Sequence, residues 1–81
     1  MTTKLVLPKW GMGIDEGTVT RWLRAEGDFV KEGEPVVEIE TAKATQAVEA
    51  PVSGRLSKII LPVGETAAVN TVIGLIEEGD A

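Results

Sequence analysis

The chain is organised around the stretch Val36-Val37-Glu38-Ile39-Glu40-Thr41-Ala42-Lys43-Ala44-Thr45-Gln46-Ala47-Val48-Glu49-Ala50, in which apolar and polar residues alternate. Alternation with a period of two is typical of a β-strand that buries one face. If residues 41–44 form a turn, Val37 faces Val48 and Ile39 faces Gln46 on one side. The other side then carries Glu38, Glu40, Thr45, Ala47 and Glu49. The stretch therefore predicts an antiparallel hairpin with Lys43 in its turn.

The predicted turn lacks the residues that tight hairpins usually contain. A two-residue connection favours Asn-Gly or Gly-rich sequences because its φ angles are positive, whereas Ala42 and Lys43 are neither Asn nor Gly. A type I turn is therefore expected, although its geometry matches strand twist less well. Turn propensity therefore does not explain why Ala42 and Lys43 occur at these positions. Two interpretations follow: a lysine displayed for another protein to handle, or an ordinary lysine that aids solubility.

The two halves of the chain resemble each other. A shift of 37 positions aligns several identical residues, among them Gly17 with Gly54, Gly27 with Gly64, Ile39 with Ile76, and Glu40 with Glu77. It also places Gly33 on Asn70, and both residue types tolerate a left-handed conformation. Two copies predict two similar sheets related by an approximate twofold axis.

The same shift predicts where the chain ends lie. It relates Lys43 to Asp80, beside the C-terminus, and Val6, beside the N-terminus, to Lys43. The termini should therefore lie together at the end of the domain opposite the lysine. A carrier that is tethered at one end and modified at the other has this layout. A duplicated β scaffold without a special lysine would contain the same repeat.

The composition predicts one small all-β domain. Eighty-one residues form a single domain with a limited core, supplied mainly by Val, Ile and Leu. Among the few aromatic residues, Trp22 and Phe29 are expected in the core. Nine Gly and four Pro separate short runs, and no long stretch has helical periodicity. Strands are expected near residues 3–7, 17–25, 35–41, 44–50, 53–61 and 71–77, with short pieces near 28–30 and 65–67.

The charge and the missing residue types argue against several functions. Thirteen acidic and 8 basic residues give a net charge of −5, so phosphate repulsion argues against a nucleic-acid partner. No apolar run approaches the ~20 residues that cross a bilayer, and the N-terminus has no secretory signal, so a soluble intracellular protein is expected. The chain has no Cys and no His, which removes thiolate metal sites and the commonest general base. Independent catalysis is not expected.

Several motifs resemble those of the lipoyl domains of 2-oxo acid dehydrogenase complexes. The segment Glu40-Thr41-Ala42-Lys43-Ala44 is similar to the lipoyl attachment motif. The segment Pro8-Lys9-Trp10-Gly11-Met12, followed by Glu16-Gly17, resembles the first strand and loop of the family. Residues 30–33, 49–54, 64–66 and 73–78 are similar as well. The resemblance covers nearly the whole chain, with residues 1–78 as the lipoyl domain and 79–81 as the start of a linker.

The resemblance implies a fold, a cofactor and partners. The fold is a flattened β-barrel or sandwich of two four-stranded antiparallel sheets, a barrel-sandwich hybrid, and lipoic acid is joined to Lys43 as an amide. The implied partners are a thiamine diphosphate-dependent decarboxylase, an acyltransferase core, a dihydrolipoyl dehydrogenase and a lipoate attachment enzyme. The isolated domain is expected to be a monomer. Partner recognition is assigned to residues flanking the lysine and in the first loop: Glu40, Thr41, Ala42, Ala44, Trp10 and Met12.

The chain departs from the family pattern at three positions. Ala42 stands where Asp usually precedes the lysine, and Gln46 stands where an apolar residue is common. Trp10 replaces the commoner aliphatic residue, and with it the segment Pro8-Lys9-Trp10-Gly11 resembles that of acetoin dehydrogenase acyltransferases. Because the Gln46 amide faces the same side as Ile39, it must find a partner or reach the rim of the core.

The resemblance favours the N-terminal domain of a longer dihydrolipoamide acyltransferase, in the bacterial cytoplasm rather than the mitochondrial matrix. A dihydrolipoyl dehydrogenase or a free-standing carrier would also fit. Two other functions remain open. One is a biotinyl carrier, whose family has Met on both sides of its lysine where this chain has Ala42 and Ala44. The other is an unmodified interaction module of the same fold.

Overall fold

Eight β-strands account for the regular structure of the computed structural model, which describes residues 1–9 and 13–78. They are β1 (Thr2–Val6), β2 (Glu16–Trp22), β3 (Phe29–Val30), β4 (Pro35–Glu40), β5 (Thr45–Glu49), β6 (Gly54–Ile59), β7 (Thr66–Ala68) and β8 (Val72–Glu78). The described residues form no helix that is long and apolar enough to span a membrane. Residues 79–81, the predicted start of a linker, lie outside the described residues.

The strands form two antiparallel sheets of the same design. Sheet A has the order β1-β8-β6-β3, and sheet B has the order β5-β4-β2-β7. Each sheet turns its apolar face towards the other, and the core contains Leu5, Leu7, Val19, Val30, Val37, Ile39, Leu56, Ile73 and Ile76. The predicted sandwich of two four-stranded sheets is confirmed, and strand pairing does not close the sheets into a barrel.

The internal repeat extends to the register of the strands. Val19 pairs with Ile39 across β2 and β4. Their counterparts 37 positions later, Leu56 and Ile76, pair across β6 and β8. Both strand pairs then shift register immediately after this residue pair. The predicted twofold relation between the sheets is therefore confirmed at the level of individual residue pairs.

The repeat also preserves an unusual backbone conformation. Gly33 has φ of 87°, and its counterpart Asn70 has φ of 71°. Asn70 is the only residue other than glycine with positive φ in the described part of the chain. Asn tolerates this left-handed region better than most side chains do. The predicted equivalence of the two turn positions is confirmed.

The two ends of the described chain, Met1 and Glu78, lie together, away from the hairpin turn. The amide of Glu78 donates to the carbonyl of Met1 (2.7 Å), and the equivalent bond in sheet B runs from the Thr41 amide to the Ala44 carbonyl (2.9 Å). From the turn, β5 runs five residues, or about 17 Å, away. The chain then enters β6 at Gly54, which pairs with Glu78. The predicted placement of the chain ends opposite Lys43 is confirmed for Met1 and Glu78, and residues 79–81 lie outside the described residues.

One core prediction is wrong. The Phe29 side chain is 43% exposed, because β3 has two residues and alternation turns only one of them inward. Val30 takes the inward position and is fully buried. Trp22, by contrast, packs against the core, and its Nε1 donates to the Leu61 carbonyl (2.8 Å).

Strands β2 and β6 end earlier than predicted. They stop at Trp22 and Ile59, and beyond β6 the amides of Ile60 and Leu61 share one acceptor, the Ile73 carbonyl of β8. The Asp28 carboxylate accepts the Ala25 amide (2.9 Å), and the Glu26 carboxylate accepts the Ile59 amide (2.8 Å). Side-chain acceptors of this kind compete with strand pairing.

Gly54 and Gly17 occupy equivalent positions but differ in what surrounds them. A Cβ at Gly54 would overlap the main-chain oxygen of Glu77, whereas at Gly17 it would lie 2.5 Å from Cγ2 of Ile39, a side chain that can shift. From typical overpacking costs, we expect Gly54→Ala to lower the free energy of unfolding by about 3 kcal/mol and Gly17→Ala by about 1.5 kcal/mol. Urea unfolding followed by tryptophan fluorescence measures both. A larger loss for Gly17→Ala would contradict the described packing.

An ion pair near the β3–β4 turn should make stability depend on pH. Glu34 accepts bonds from the Arg24 side chain (2.7 Å) and the Lys31 amide (3.1 Å), and these bonds lower the pKa of Glu34 from its ordinary value of 4.5. A carboxylate with a lowered pKa stabilises the fold above pH 4.5, and this contribution is lost as the pH falls through the folded-state pKa. We expect Glu34→Gln to lower the melting temperature at neutral pH and to change it little at about pH 2.

Glu32→Gln is the matched control for this experiment. Glu32 is an exposed neighbour whose carboxylate makes no hydrogen bond to another described residue. A pH-dependent loss in that variant as large as in Glu34→Gln would argue for a general charge effect.

Candidate functional site

Lys43 lies at the tip of the β4–β5 hairpin, and its side chain is exposed. The hairpin has the predicted register: Val37 pairs with Val48, and Ile39 pairs with Gln46. Val37 and Ile39 are fully buried. The inner face of the hairpin is thus fixed in the core, which holds the turn in a constant position at the end of sheet B.

The Thr41 side chain organises the turn. Its Oγ1 donates to the Ala44 carbonyl (2.8 Å) and accepts the amides of Lys43 (3.4 Å) and Ala44 (3.3 Å). Ala42 and Lys43 both have negative φ, which excludes the primed turns. Hydroxyl bonds to neighbouring main-chain groups stabilise turns that lack Gly or Asn. From the sequence, Thr41 is expected only in partner recognition; its structural role is missed there, although a hydroxyl residue at the first turn position signals it.

The Lys43 amine is free of carboxylate partners in the described part of the chain. There the single ion pair joins Arg24 to Glu34. A primary amine that is exposed and unpaired is available for acylation, and the ordered backbone beneath it fixes the point of attachment. These properties fit a covalently attached carboxylic acid such as lipoic acid or biotin.

A cleft of about 380 Å³ opens beside the turn. It is lined by residues 13–18 and 40–42 and so brings together Glu40, Thr41 and Ala42 from the predicted recognition set. Asp15 and Glu16 add two further carboxylates. Ala44 is exposed and does not line the cleft. Trp10 and Met12, also predicted for recognition, lie outside the described residues.

Gln46 takes one of its two expected positions, the rim of the core. Its side chain is half-buried and lines a groove of about 510 Å³ between the edge strands β1 and β5, together with Lys4 and Glu49. No described side-chain nitrogen or oxygen is both buried and unpaired. The polar substitution in this strand is therefore accommodated without an unsatisfied amide.

Comparison with known proteins adds a family match and several relatives. Residues 3–76 match the Biotin_lipoyl family, described as biotin-requiring enzyme. The chain is 40% identical over 77 residues to the dihydrolipoyllysine-residue acetyltransferase component of the acetoin cleaving system of Pseudomonas putida (95% of this chain, 21% of the relative). It is 48% identical over 82 residues to the corresponding acetyltransferase component of the pyruvate dehydrogenase complex of Rickettsia bellii (99% and 20%). The chain thus spans about a fifth of the length of these relatives.

One solved structure has a similar fold over almost the whole chain. It is the solution structure of the lipoyl domain of the 2-oxoglutarate dehydrogenase complex from Azotobacter vinelandii. The TM-score is 0.72 at 29% identity, and the alignment covers 94% of this chain and 99% of that chain. This match extends the similarity from sequence to architecture.

Removal of the Thr41 hydroxyl should loosen the turn without unfolding the domain. Hydrogen bonds of this kind contribute about 1 kcal/mol, so we expect Thr41→Ala to raise the exchange rate of the Thr41 and Ala44 amides by about fivefold. Thr41→Ser should retain the slow exchange. Thr45→Ala, next to the turn, is the control because the Thr45 hydroxyl bonds to no described residue. Equal acceleration in Thr45→Ala would argue against the proposed role of Thr41.

Proposed function

The chain belongs to the Biotin_lipoyl family, and on this basis we propose that it is a lipoyl carrier domain modified at Lys43. The observation that carries the proposal is the exposed, unpaired amine at the tip of a hairpin whose inner face is fixed in the core. The relatives named dihydrolipoyllysine-residue acetyltransferase components and the similar lipoyl-domain structure support lipoic acid as the attached group.

The hairpin supplies both the flexible arm and the rigid base that a carrier needs. In the proposal, Nζ of Lys43 forms an amide, which removes the positive charge and leaves a long, flexible stem in solvent. The buried Val37 and Ile39 hold the base of the hairpin, and the Thr41 hydroxyl holds its tip. Lipoic acid supplies a dithiolane that carries acyl groups and electrons. The chain itself positions this group and contributes no catalytic residue.

The proposed partners are those of a 2-oxo acid or acetoin dehydrogenase complex: a thiamine diphosphate-dependent decarboxylase, an acyltransferase core and a dihydrolipoyl dehydrogenase. Linkage to such an assembly replaces diffusion with a high effective concentration. We place the domain in a longer dihydrolipoamide acyltransferase because relatives of that type match it. Those relatives belong to an acetoin and a pyruvate system, so the proposal names a class of complex and no single acyl group. The bacterial cytoplasm is the proposed location.

Recognition by these partners is proposed to involve the turn and its cleft. Glu40, Thr41 and Ala42 form one wall of the cleft, and Ala44 flanks the lysine on the opposite side of the turn. These residues therefore lie next to the point of attachment, where a partner that handles Lys43 can contact them. Trp10 and Met12 remain part of the proposed recognition set on the basis of the sequence alone.

Biotin is the second candidate because the family description names biotin-requiring enzymes. Both groups attach through a carboxyl carbon to a lysine amine, so the exposed Nζ of Lys43 could accept either one. The residues beside the lysine favour lipoic acid: Ala42 and Ala44 stand where the biotinyl carriers that this chain resembles have Met.

Co-expression with a lipoate attachment enzyme and lipoate tests the proposal. We expect the intact mass of the parent protein to increase by one lipoyl amide and that of Lys43→Arg to stay unchanged. Lys31→Arg, which alters an exposed lysine near another turn, should be modified like the parent. Modification of Lys43→Arg would contradict the assignment of Lys43 as the attachment site. A biotin signal on a streptavidin blot of the parent protein, expressed in its native host, would favour the biotinyl carrier.

A further inference from the structure

The outer faces of the two sheets have the same backbone design but opposite charge. In sheet A, one row across β1, β8 and β6 reads Lys4-Leu75-Lys58. The equivalent row of sheet B, across β5, β4 and β2, reads Ala47-Glu38-Arg21. The next rows read Thr2-Glu77-Arg55-Phe29 in sheet A and Thr45-Glu40-Thr18-Thr66 in sheet B. Over these two rows, three cations and one anion give sheet A a charge of +2, whereas two anions and one cation give sheet B −1.

Because a twofold relation connects the two sheets, the outer face of sheet B can be compared position by position with that of sheet A. Both faces meet the same requirements for strand pairing, twist and packing, so the fold does not explain why they differ. Solubility does not explain the difference either, because a protein of net charge −5 is already kept soluble by its excess of acidic residues. The positive face of sheet A is therefore a feature that the fold alone leaves unexplained.

The cations of sheet A form no ion pair with a described carboxylate, although Glu77 lies across from Arg55 and Glu49 lines the same groove as Lys4. In residues 1–9 and 13–78 the only ion pair is Arg24–Glu34, which includes none of these cations. Lys4, Arg55 and Lys58 are all exposed. Their combined field makes the face positive in a molecule that is otherwise acidic. Such a field favours association with a negatively charged surface and orients the approach.

Apolar side chains lie between these cations. Leu75 is half-buried between Lys4 and Lys58, and the Phe29 ring is 43% exposed opposite Arg55 on the neighbouring strand. Arginine and aromatic residues are enriched where proteins bind one another and supply much of the binding energy. The mixture of charge and exposed apolar surface fits a protein partner better than it fits a small anion.

We propose that the outer face of sheet A, formed by Lys4, Phe29, Arg55, Lys58 and Leu75, docks an acidic protein surface that carries apolar side chains among its carboxylates. This basic face lies on the other sheet from the hairpin that carries Lys43. A partner bound there leaves the lysine turn uncovered, so docking and modification are compatible. The inference does not depend on the group attached to Lys43.

Unmodified, ¹⁵N-labelled protein titrated with poly-L-glutamate at low salt tests the charge of this face. We expect amide shift changes to concentrate on β1, β3, β6 and β8 and to disappear at high salt because the interaction is screened. Lys58→Glu should weaken binding by about fivefold, since reversal of one exposed charge costs about 1 kcal/mol. The matched control is Arg21→Glu, at the equivalent position of sheet B, which changes the net charge from −5 by the same two units and should leave binding within about twofold of the parent.

A gain-of-function variant tests whether the pattern of residues is sufficient. Glu38→Leu combined with Ala47→Lys gives sheet B the row of sheet A, because Arg21 already provides the third position. We expect this variant to show a second set of shift changes on β2, β4 and β5. The same spectra report whether each variant is folded.

The exposed ring tests the apolar part of the proposal. A random copolymer of glutamate and tyrosine should bind more tightly than poly-L-glutamate, and Phe29→Ser should abolish the difference. If Phe29→Ser leaves the preference for the copolymer intact, the basic face does not select apolar side chains.

Three results would overturn the proposal. The first is a map of shift changes centred on Lys31 or Lys43 instead of sheet A. The second is equal weakening by Lys58→Glu and Arg21→Glu, which would indicate a net-charge effect. The third is binding of phosphatidylglycerol vesicles through the same amides without binding of poly-L-glutamate, which would make a lipid surface the partner.

Discussion

The structure depends on the burial of one face of each sheet against the other. Strands with a period of two can exclude water from their apolar side only when a second sheet covers it. Here the covering sheet is a second copy of the same pattern. Val19 and Ile39 of sheet B enter the core from one side, and their counterparts Leu56 and Ile76 of sheet A enter it from the other. In so small a core, each inward position carries a large share of the stability.

This constraint also explains which positions of the chain are available for function. The inward positions are fixed by packing, and the outward positions and turns are free to vary. Lys43 occupies a turn that the hairpin closes with main-chain bonds and the Thr41 hydroxyl. The two outer faces diverged in charge without a change in register. Function therefore resides in residues that the core does not need.

The sequence was sufficient to predict the hairpin register, the repeat and the opposite placement of lysine and termini, because each follows from alternation or from a fixed shift. It did not predict the exposure of Phe29, since the direction of a residue in a two-residue strand depends on how its neighbours pair. The three bonds of Thr41 were missed although they are local and a hydroxyl residue at the first turn position signals them. The cleft beside the turn was beyond the sequence, because residues 13–18 meet residues 40–42 only after folding.

The bond between Glu78 and Met1 takes the place that the Thr41–Ala44 bond takes in the other half of the molecule. The lysine turn and the point where Met1 meets Glu78 thus occupy equivalent positions, joined by a turn in one half of the domain and open in the other. A circularly permuted domain, with a linker from Glu78 to Met1 and an opening at the hairpin turn, would keep every strand pair. The duplicated architecture offers two equivalent positions: one brings Met1 and Glu78 together, and the other carries Lys43.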